Sequence, residues 1–436
     1  MVVQTVYGKV EGIQTGGCNV YYGIPFAKPP VLDLTFRHPL PPDPWEGTLA
    51  ADKGSKNPIQ PPTKYGMKNN SLDCLYLNVF VPEGLTKPAP VMVWIYGGSY
   101  YEGGAGTNTE GSTELVYDMS YFAKETGCIV VTFNYRLNVY GFLNLHFLDD
   151  KFDQNNGLYD QIMALKFVNE NIAAFGGDPQ NVTVFGQSAG AACILALMTM
   201  PEASGLYQKT IVQSPCAEHF FTEEESEKNT KKFLLFAGVK SPEELLYLPE
   251  NELLSAAKRY YEWTLARGEI RCAFSPTIDG VTLKECPKDA VKASKVPMMI
   301  GSVTEEGNLF INPIPTILLP VLQAYLKLPP RKSNLPYKKR VSDALTEHVY
   351  IRPIKDIVEN YSGQVWRYVF DYCTPDNKFG ICHICELPVL FGLDGIMGNP
   401  NDEESKQVGK RARKIWSDFA HKGDPGWKEG TGVWIR

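Results

Sequence analysis

Short apolar runs recur along the chain, separated by stretches of helical periodicity. Val91 to Tyr96, Cys128 to Asn134, Val182 to Phe185, Ile211 to Ser214, Met298 to Gly301 and Trp366 to Phe370 are rich in β-branched and aromatic residues and carry almost no alternating polar face. That is the pattern of strands covered on both sides. Between them, Leu115 to Lys124 and Leu158 to Ile172 repeat apolar positions at helical spacing. The alternation is β-α-β-α and predicts an α/β fold, a mostly parallel sheet with helices on both faces. Residues 2 to about 23 alternate apolar and polar positions around Gly16-Gly17, predicting an N-terminal β-hairpin, and Asp73 to Phe80 predicts a further strand. Residues 28 to 67 are rich in proline and polar side chains and read as a long surface loop without regular structure. Two segments rich in Glu, Lys and Leu, at about 222–262 and 311–361, read as helices inserted between strands, a cap over the site. With no internal repeat and no low-complexity linker, 1–436 reads as a single domain.

The run Val182 to Phe185 ends in Gly186-Gln187-Ser188-Ala189-Gly190, and the residues after it, Ala191, Ala192, Ile194, Leu195, Ala196 and Leu197, form helices readily. A strand that turns sharply into a helix with Gly-x-Ser-x-Gly at the turn is a nucleophile elbow. The glycines are expected to serve a tight, strained turn, with the serine oxygen held at the helix N-terminus, where developing negative charge is favoured. Ser188 is the candidate nucleophile.

Composition narrows the function. The chain has 436 residues, 44% of them hydrophobic, enough for one large core, and its net charge of -6 excludes the basic face that a nucleic-acid partner requires. No segment reaches the apolar length of a membrane span, and Met1 to Thr5 has neither a basic nor a long apolar signal region, so a soluble, cytoplasmic protein is expected. The ten cysteines are scattered through apolar contexts, as buried free thiols are. Cys382-His383-Ile384-Cys385 invites a metal or redox reading, but no second ligand cluster accompanies it, and no metal is expected.

A serine hydroxyl needs a histidine to take its proton and a carboxylate to orient that histidine. Of the six histidines, His383 lies in a Gly-containing segment after the strand at 366–371, where a loop can carry its ring over the sheet edge. His421 sits at a polar helix end near Gly423, and His219 and His348 lack a comparable loop. The segment Gly301 to Gly307 places Glu305 and Glu306 at the C-terminal end of a strand, where α/β active sites lie, and spacing does not choose between them. For the oxyanion, Tyr96-Gly97-Gly98-Ser99 directly follows a strand and can aim backbone amides at a carbonyl oxygen, with the Ala189 amide as partner.

Taken in order, Asp73-Cys74-Leu75-Tyr76-Leu77-Asn78-Val79, the Gly-Gly loop after Val-Trp-Ile, Asn134-Tyr135-Arg136-Leu137, Asn156 to Gln161, Asn171 to Pro179 and Gly186 to Gly190 resemble the type-B carboxylesterase/cholinesterase family over about residues 5 to 425. The resemblance implies an α/β-hydrolase fold, no cofactor, and hydrolysis of a small-molecule carboxylic ester through an acyl-serine. It implies Glu306 as the acid, because the family's glutamate directly precedes a glycine. His383, Glu386-Leu387 and Phe391-Gly392 match the family's His-x-x-Glu-Leu and Phe-Gly. Ser214 matches a second-shell serine near the triad carboxylate, and Arg136 and Asp160 a structural ion pair.

The departures matter for the substrate. The second and third glycines of the family's loop supply the oxyanion amides, and here those positions are Gly98 and Ser99, a small residue that bacterial members of the para-nitrobenzyl esterase type also tolerate. The cysteine that secreted members pair with Cys74 is missing around Asn57 to Gln60, so that disulfide is expected to be absent. Leu72 stands where a glutamate usually pairs with the residue matching Arg37, so that pair is expected to be lost. Tyr96, Tyr100, Tyr101 and Phe310 suggest an apolar pocket for uncharged short-chain or aryl esters. The expectation is a bacterial serine carboxylesterase, monomeric or a small homo-oligomer, with a non-catalytic binding module and a lipase or amidase of the same fold as the alternatives.

Overall fold

The computed structural model describes residues 1–436 apart from 62–67, 86–87, 108–115, 268, 270, 326–335 and 395–396. Its centre is a ten-stranded sheet, with strands numbered here in chain order: β1 (Ile13–Thr15), β2 (Cys18–Pro25), β3 (Tyr76–Pro82), β4 (Ala89–Ile95), β5 (Ile129–Phe133), β6 (Gly177–Gln187), β7 (Lys209–Gln213), β8 (Met298–Val303), β9 (Val365–Phe370) and β10 (Gly432–Ile435). The spatial order is β10-β9-β8-β7-β6-β4-β5-β3-β2-β1, parallel from β10 through β5 and antiparallel over the three strands at the other edge. Every residue of β4, β5, β7 and β8 is buried, which is why those segments show no alternating polar face. Helices Asn156–Asn171, Ala189–Leu197 and Glu403–Lys422 are among those that pack on the sheet, and one hydrophobic core runs from Val10 to Ile435. The fold is an α/β-hydrolase.

Three details differ from the expectation. Only β1 and β2, turning at Gly16-Gly17, form the hairpin that joins the large sheet; Lys9–Glu11 pairs with Val2–Gln4 on one side and Thr48–Ala50 on the other in a separate sheet. The proline-rich stretch after residue 28 therefore contains strands, Thr48–Ala50, whose partner Lys9–Glu11 lies far off in sequence, and the two-residue Asn57–Pro58, which pairs with Asn70–Ser71; neither leaves a local pattern. The helix expected from Leu115 is observed over Ser120–Thr126, and Leu115 itself lies outside the described residues.

The 222–262 segment carries helices Glu223–Ala237 and Glu250–Ala266. A capping box fixes the start of the first, with the Thr222 hydroxyl accepting from the Glu225 amide and the Glu225 carboxylate from the Thr222 amide. The 311–361 segment carries helices Leu319–Tyr325, Tyr337–Leu345 and Arg352–Asn360, the last two joined by a π-helical turn at Thr346–Ile351. It has its own small core of Ile311, Leu319, Val341 and Tyr350, which Cys216 joins from the end of β7.

Candidate active site

Strand register brings the site together. Gly186 lies opposite Ile95, Gln187 opposite Gln213, and Gln213 opposite Gly301, so the chain leaves β6, β4, β7 and β8 at one level on the C-terminal edge of the sheet. Ser188 leaves β6 with φ 58° and ψ -123°, a backbone conformation that is costly for a residue with a Cβ, and Ala189 begins the helix at once. The Ser188 amide is held by the Gln213 carbonyl at 2.9 Å. Gly186 and Gly190 do not have the positive φ that a strained turn would ask of them. They are required by close approach: a Cβ at Gly190 would lie 2.2 Å from the Ile95 carbonyl oxygen, and one at Gly186 2.6 Å from it. The strain of the elbow sits in the serine itself.

Glu306 is fully buried. Its Oε1 accepts the Val303 amide at 3.0 Å, and its Oε2 lies 2.5 Å from His383 Nδ1. The Thr346 hydroxyl accepts the Gly307 amide at 2.9 Å, tying the turn after the glutamate to the π-helical turn. Glu305 points the other way, to Asn308 Nδ2 at 2.6 Å and Lys339 Nζ at 3.4 Å. His383 is almost fully buried, with its amide donating to the Glu306 carbonyl at 3.3 Å. Its Nε2 lies 3.1 Å from Nε2 of Gln187. An amide nitrogen can only donate, so the ring Nε2 accepts and the ring proton sits on Nδ1, facing Glu306. That tautomer leaves Nε2 able to take a proton.

Among the described residues, Ser188 Oγ and His383 Nε2 make no hydrogen bond to each other. Ser188 Oγ instead faces Cys216 Sγ at 3.9 Å, and that thiol reaches Tyr350 Oη at 3.8 Å. Burial pushes the Cys216 thiol up to about 11, so it stays protonated. The rings of Tyr350 and Phe310 stand 5.0 and 5.5 Å from the imidazole. Of the other tyrosines expected in the pocket, Tyr96 and Tyr100 are fully buried, the former stacked on Tyr135, and Tyr101 stacks on Tyr261.

The loop after β4 crosses close over the elbow, because a Cβ on Gly97 would lie 2.9 Å from that of Ser188. Ser99 and Tyr100 both take positive φ, at 58° and 57°. The amides of Gly98 and Ser99 have no acceptor among the described residues, and the Ala189 amide is a first-turn N–H with no intrahelical partner. Ser214 leaves β7 with φ 47° and donates its amide to the Gly301 carbonyl at 2.7 Å; its hydroxyl is buried and makes no hydrogen bond among the described residues.

Beneath the site lies a second buried carboxyl, Glu386, in loose contact with Gln213 Nε2 at 3.5 Å, while Gln213 Oε1 accepts from Trp416. Burial, then the nearby Glu306, pushes the Glu386 carboxyl up to about 8, so it is neutral at pH 7. Arg136 and Asp160 form a bidentate pair, both fully buried, with Oδ1 to Nη2 at 2.7 Å and Oδ2 to Nε at 2.8 Å. Arg37 pairs with Asp153 at 2.9 Å, in place of the missing partner at Leu72. Cys74 is a buried free thiol. Cys382 and Cys385 flank the turn that carries His383, closed by the Cys385 amide on the Cys382 carbonyl at 3.1 Å; among the described residues no group of three or more His, Cys, Asp or Glu side chains could hold a metal ion. The contacts of Gln187, Cys216 and Tyr350 were not anticipated from the sequence. Gln187 had a signal, since it directly precedes the serine; Cys216 and Tyr350 had none.

An α/β-hydrolase with a serine on the elbow and a buried histidine–glutamate pair beside it belongs to the serine hydrolases as a class. The sequence model of the Carboxylesterase family matches residues 1–318 and 312–436, and the chain belongs to that family. It is 37% identical to the para-nitrobenzyl esterase of Bacillus subtilis (strain 168), over 97% of this chain and 90% of that protein. It is 30% identical to the juvenile hormone esterase of Tribolium castaneum, over 97% and 84%. A solved para-nitrobenzyl esterase structure superposes with a TM-score of 0.87 at 35% identity, covering 100% of this chain and 96% of that one. The protein is a serine carboxylesterase, a carboxylic ester hydrolase.

Proposed function

We propose that Ser188 is the nucleophile, His383 the general base and then acid, Glu306 the residue that orients it, and the amides of Gly98, Ser99 and Ala189 the oxyanion donors. The observation that carries this reading is the imidazole: Glu306 holds Nδ1 at 2.5 Å, and the Gln187 amide marks Nε2 as an acceptor at the strand edge where Ser188 emerges. Catalysis begins when Nε2 exchanges the Gln187 amide for the Ser188 hydroxyl, a tightening common when substrate enters. Ser188 Oγ then attacks the ester carbonyl as His383 takes its proton, and the three amides meet the developing oxyanion. His383 protonates the leaving alcohol, and water activated by the same nitrogen releases the acid and frees the serine. Ser214 lies beside this machinery as a supporting residue.

The substrates are short-chain or aryl carboxylic esters, taken up without cofactor by a single domain whose two helical insertions stand over the site. Phe310 and Tyr350 beside the imidazole support an apolar reach near the reacting carbonyl. The bacterial para-nitrobenzyl esterase relative supports a bacterial, cytoplasmic enzyme, monomeric or a small homo-oligomer; among the described residues no helix is long and apolar enough to cross a membrane. The test is turnover of para-nitrophenyl esters from acetate to decanoate beside Ser188→Ala. Burst release and turnover on the shorter chains, abolished in a variant that melts like the parent, is the expected result; residual turnover above a hundredth of the parent's would remove Ser188 from the nucleophile role.

A further inference from the structure

One cavity is walled by the same segments that touch the nucleophile and the base. It measures about 140 Å³, and Glu218, His219, Arg271, His348 and Val349 line it. The His219 amide donates to the carbonyl of Cys216, whose thiol faces Ser188 Oγ, and Val349 precedes Tyr350, whose ring stands 5.0 Å from the imidazole of His383. Resting on the esterase reading above, we propose that this cavity is a subsite for a neutral hydrogen-bonding arm of the ester, a hydroxyl or a carboxamide.

The cations around the cavity are already matched by carboxylates. Arg271 is held by Glu269 through Nε and Nη2, at 3.0 Å each, and by Glu225 at 2.9 Å, with a further contact to the Phe220 carbonyl. On the Glu218 side, Lys288 sits within 3.4 Å of Glu218, Asp289 and Asp356. An anionic arm would find no unmatched cation, and its desolvation would go uncompensated. The two imidazoles are different. His219 is 7% exposed, with Nδ1 3.7 Å from Cys272 Sγ; among the described residues its Nε2 has no hydrogen-bond partner, and His348 Nδ1 is likewise buried without one. Burial also lowers the His219 ring to about 4, so it is neutral at pH 7 and offers a donor or an acceptor according to tautomer. A hydroxyl or carboxamide can meet either demand. At roughly 30 Å³ per water-sized group, the volume holds about four or five heavy atoms, the end of an arm and not a whole substrate.

Sites with unpaired polar groups discriminate strongly for an analogue that pairs them, whereas apolar pockets scarcely notice an added hydroxyl. The experiment compares, by pH-stat on the full chain, ω-hydroxyalkyl butanoates with n-alkyl butanoates of the same heavy-atom count. The matching pairs of ω-hydroxyacyl and acyl methyl esters probe the other arm. The readout is the ratio of kcat/KM within each pair, which cancels differences in folded fraction. On one of the two arms the parent should prefer the hydroxylated member by roughly 10-fold or more, and the ratio should fall toward one in His219→Phe and in His348→Leu. A parent ratio at or below one on both arms, with the alkyl esters turned over, overturns the subsite and leaves the esterase reading standing. A preference that both variants keep places the recognition elsewhere and also overturns it. A larger preference for an ω-ammonium or an ω-carboxylate arm overturns the neutral-ligand assignment, and no turnover of any ester removes the esterase reading and the subsite together.

Discussion

Replacing Glu386 with Gln tests whether burial keeps the second carboxyl under the site neutral. In the folded chain this group is pushed from 4.5 up to about 8, chiefly by burial and then by Glu306. Below about 4.5 both folded and unfolded chains hold the proton, and the group contributes no pH dependence. Between about 4.5 and 8 the folded chain keeps a proton that the unfolded chain has released, so stability falls as pH rises; above about 8 the loss is complete. At about 1.36 kcal/mol per unit the full loss is roughly 5 kcal/mol. With an unfolding entropy of about 2.1 cal/mol/K per residue, a chain of this length shifts its Tm by about 1 °C per kcal/mol. Gln is nearly isosteric, never ionises, and keeps an oxygen for Gln213. The Tm of Glu386→Gln relative to the parent, followed by circular dichroism from pH 5 to pH 9, should therefore rise by about 4–5 °C across that range. A difference that stays flat to within about 1 °C would refute the reasoning, and with it the idea that burial spares Glu306 a second negative neighbour.

Two further substitutions probe the site and its support. Glu306→Gln can present an amide N–H to Nδ1 and so favour the tautomer with its proton on Nε2; kcat should fall by about 10³–10⁴ with Tm little changed, and a loss under tenfold in steady-state assays would argue against the orienting role. Asp160→Asn leaves the buried Arg136 guanidinium without its carboxylate and should cost about 3–5 kcal/mol in denaturant unfolding, whereas a cost under about 1 kcal/mol would mean the pair is not structurally important.

The central strands were legible because a sheet covered on both faces favours apolar side chains on both, and such runs show without any knowledge of partners. The elbow was legible for a related reason: strand, Gly-x-Ser-x-Gly and Ala-rich helix must be contiguous to make the turn. β10 was not, being four residues at the sheet edge with Gly432 and Trp434 exposed. Thr48–Ala50 was missed because its pairing with Lys9–Glu11 leaves no local trace. Glu305 and Glu306 are neighbours of equal chemistry, and spacing could not separate them. The turn leaving β8 does so, sending one to Lys339 and the other inward to His383.

By itself, the sequence determined which segments are buried on both faces, where the chain makes its strand-to-helix turn, and which residues are candidates for nucleophilic, basic and acidic chemistry, because those properties belong to residue type and to order along the chain. The tertiary structure decided which nitrogen of His383 carries the proton, that Gln187 rests against the other, that Cys216 faces Ser188 and Tyr350 the imidazole, and that two histidines passed over as bases line a neighbouring cavity. Those depend on strand register and on contacts between residues up to nearly two hundred positions apart, such as Gln187 with His383. Such contacts are set only when the sheet brings its C-terminal edges level.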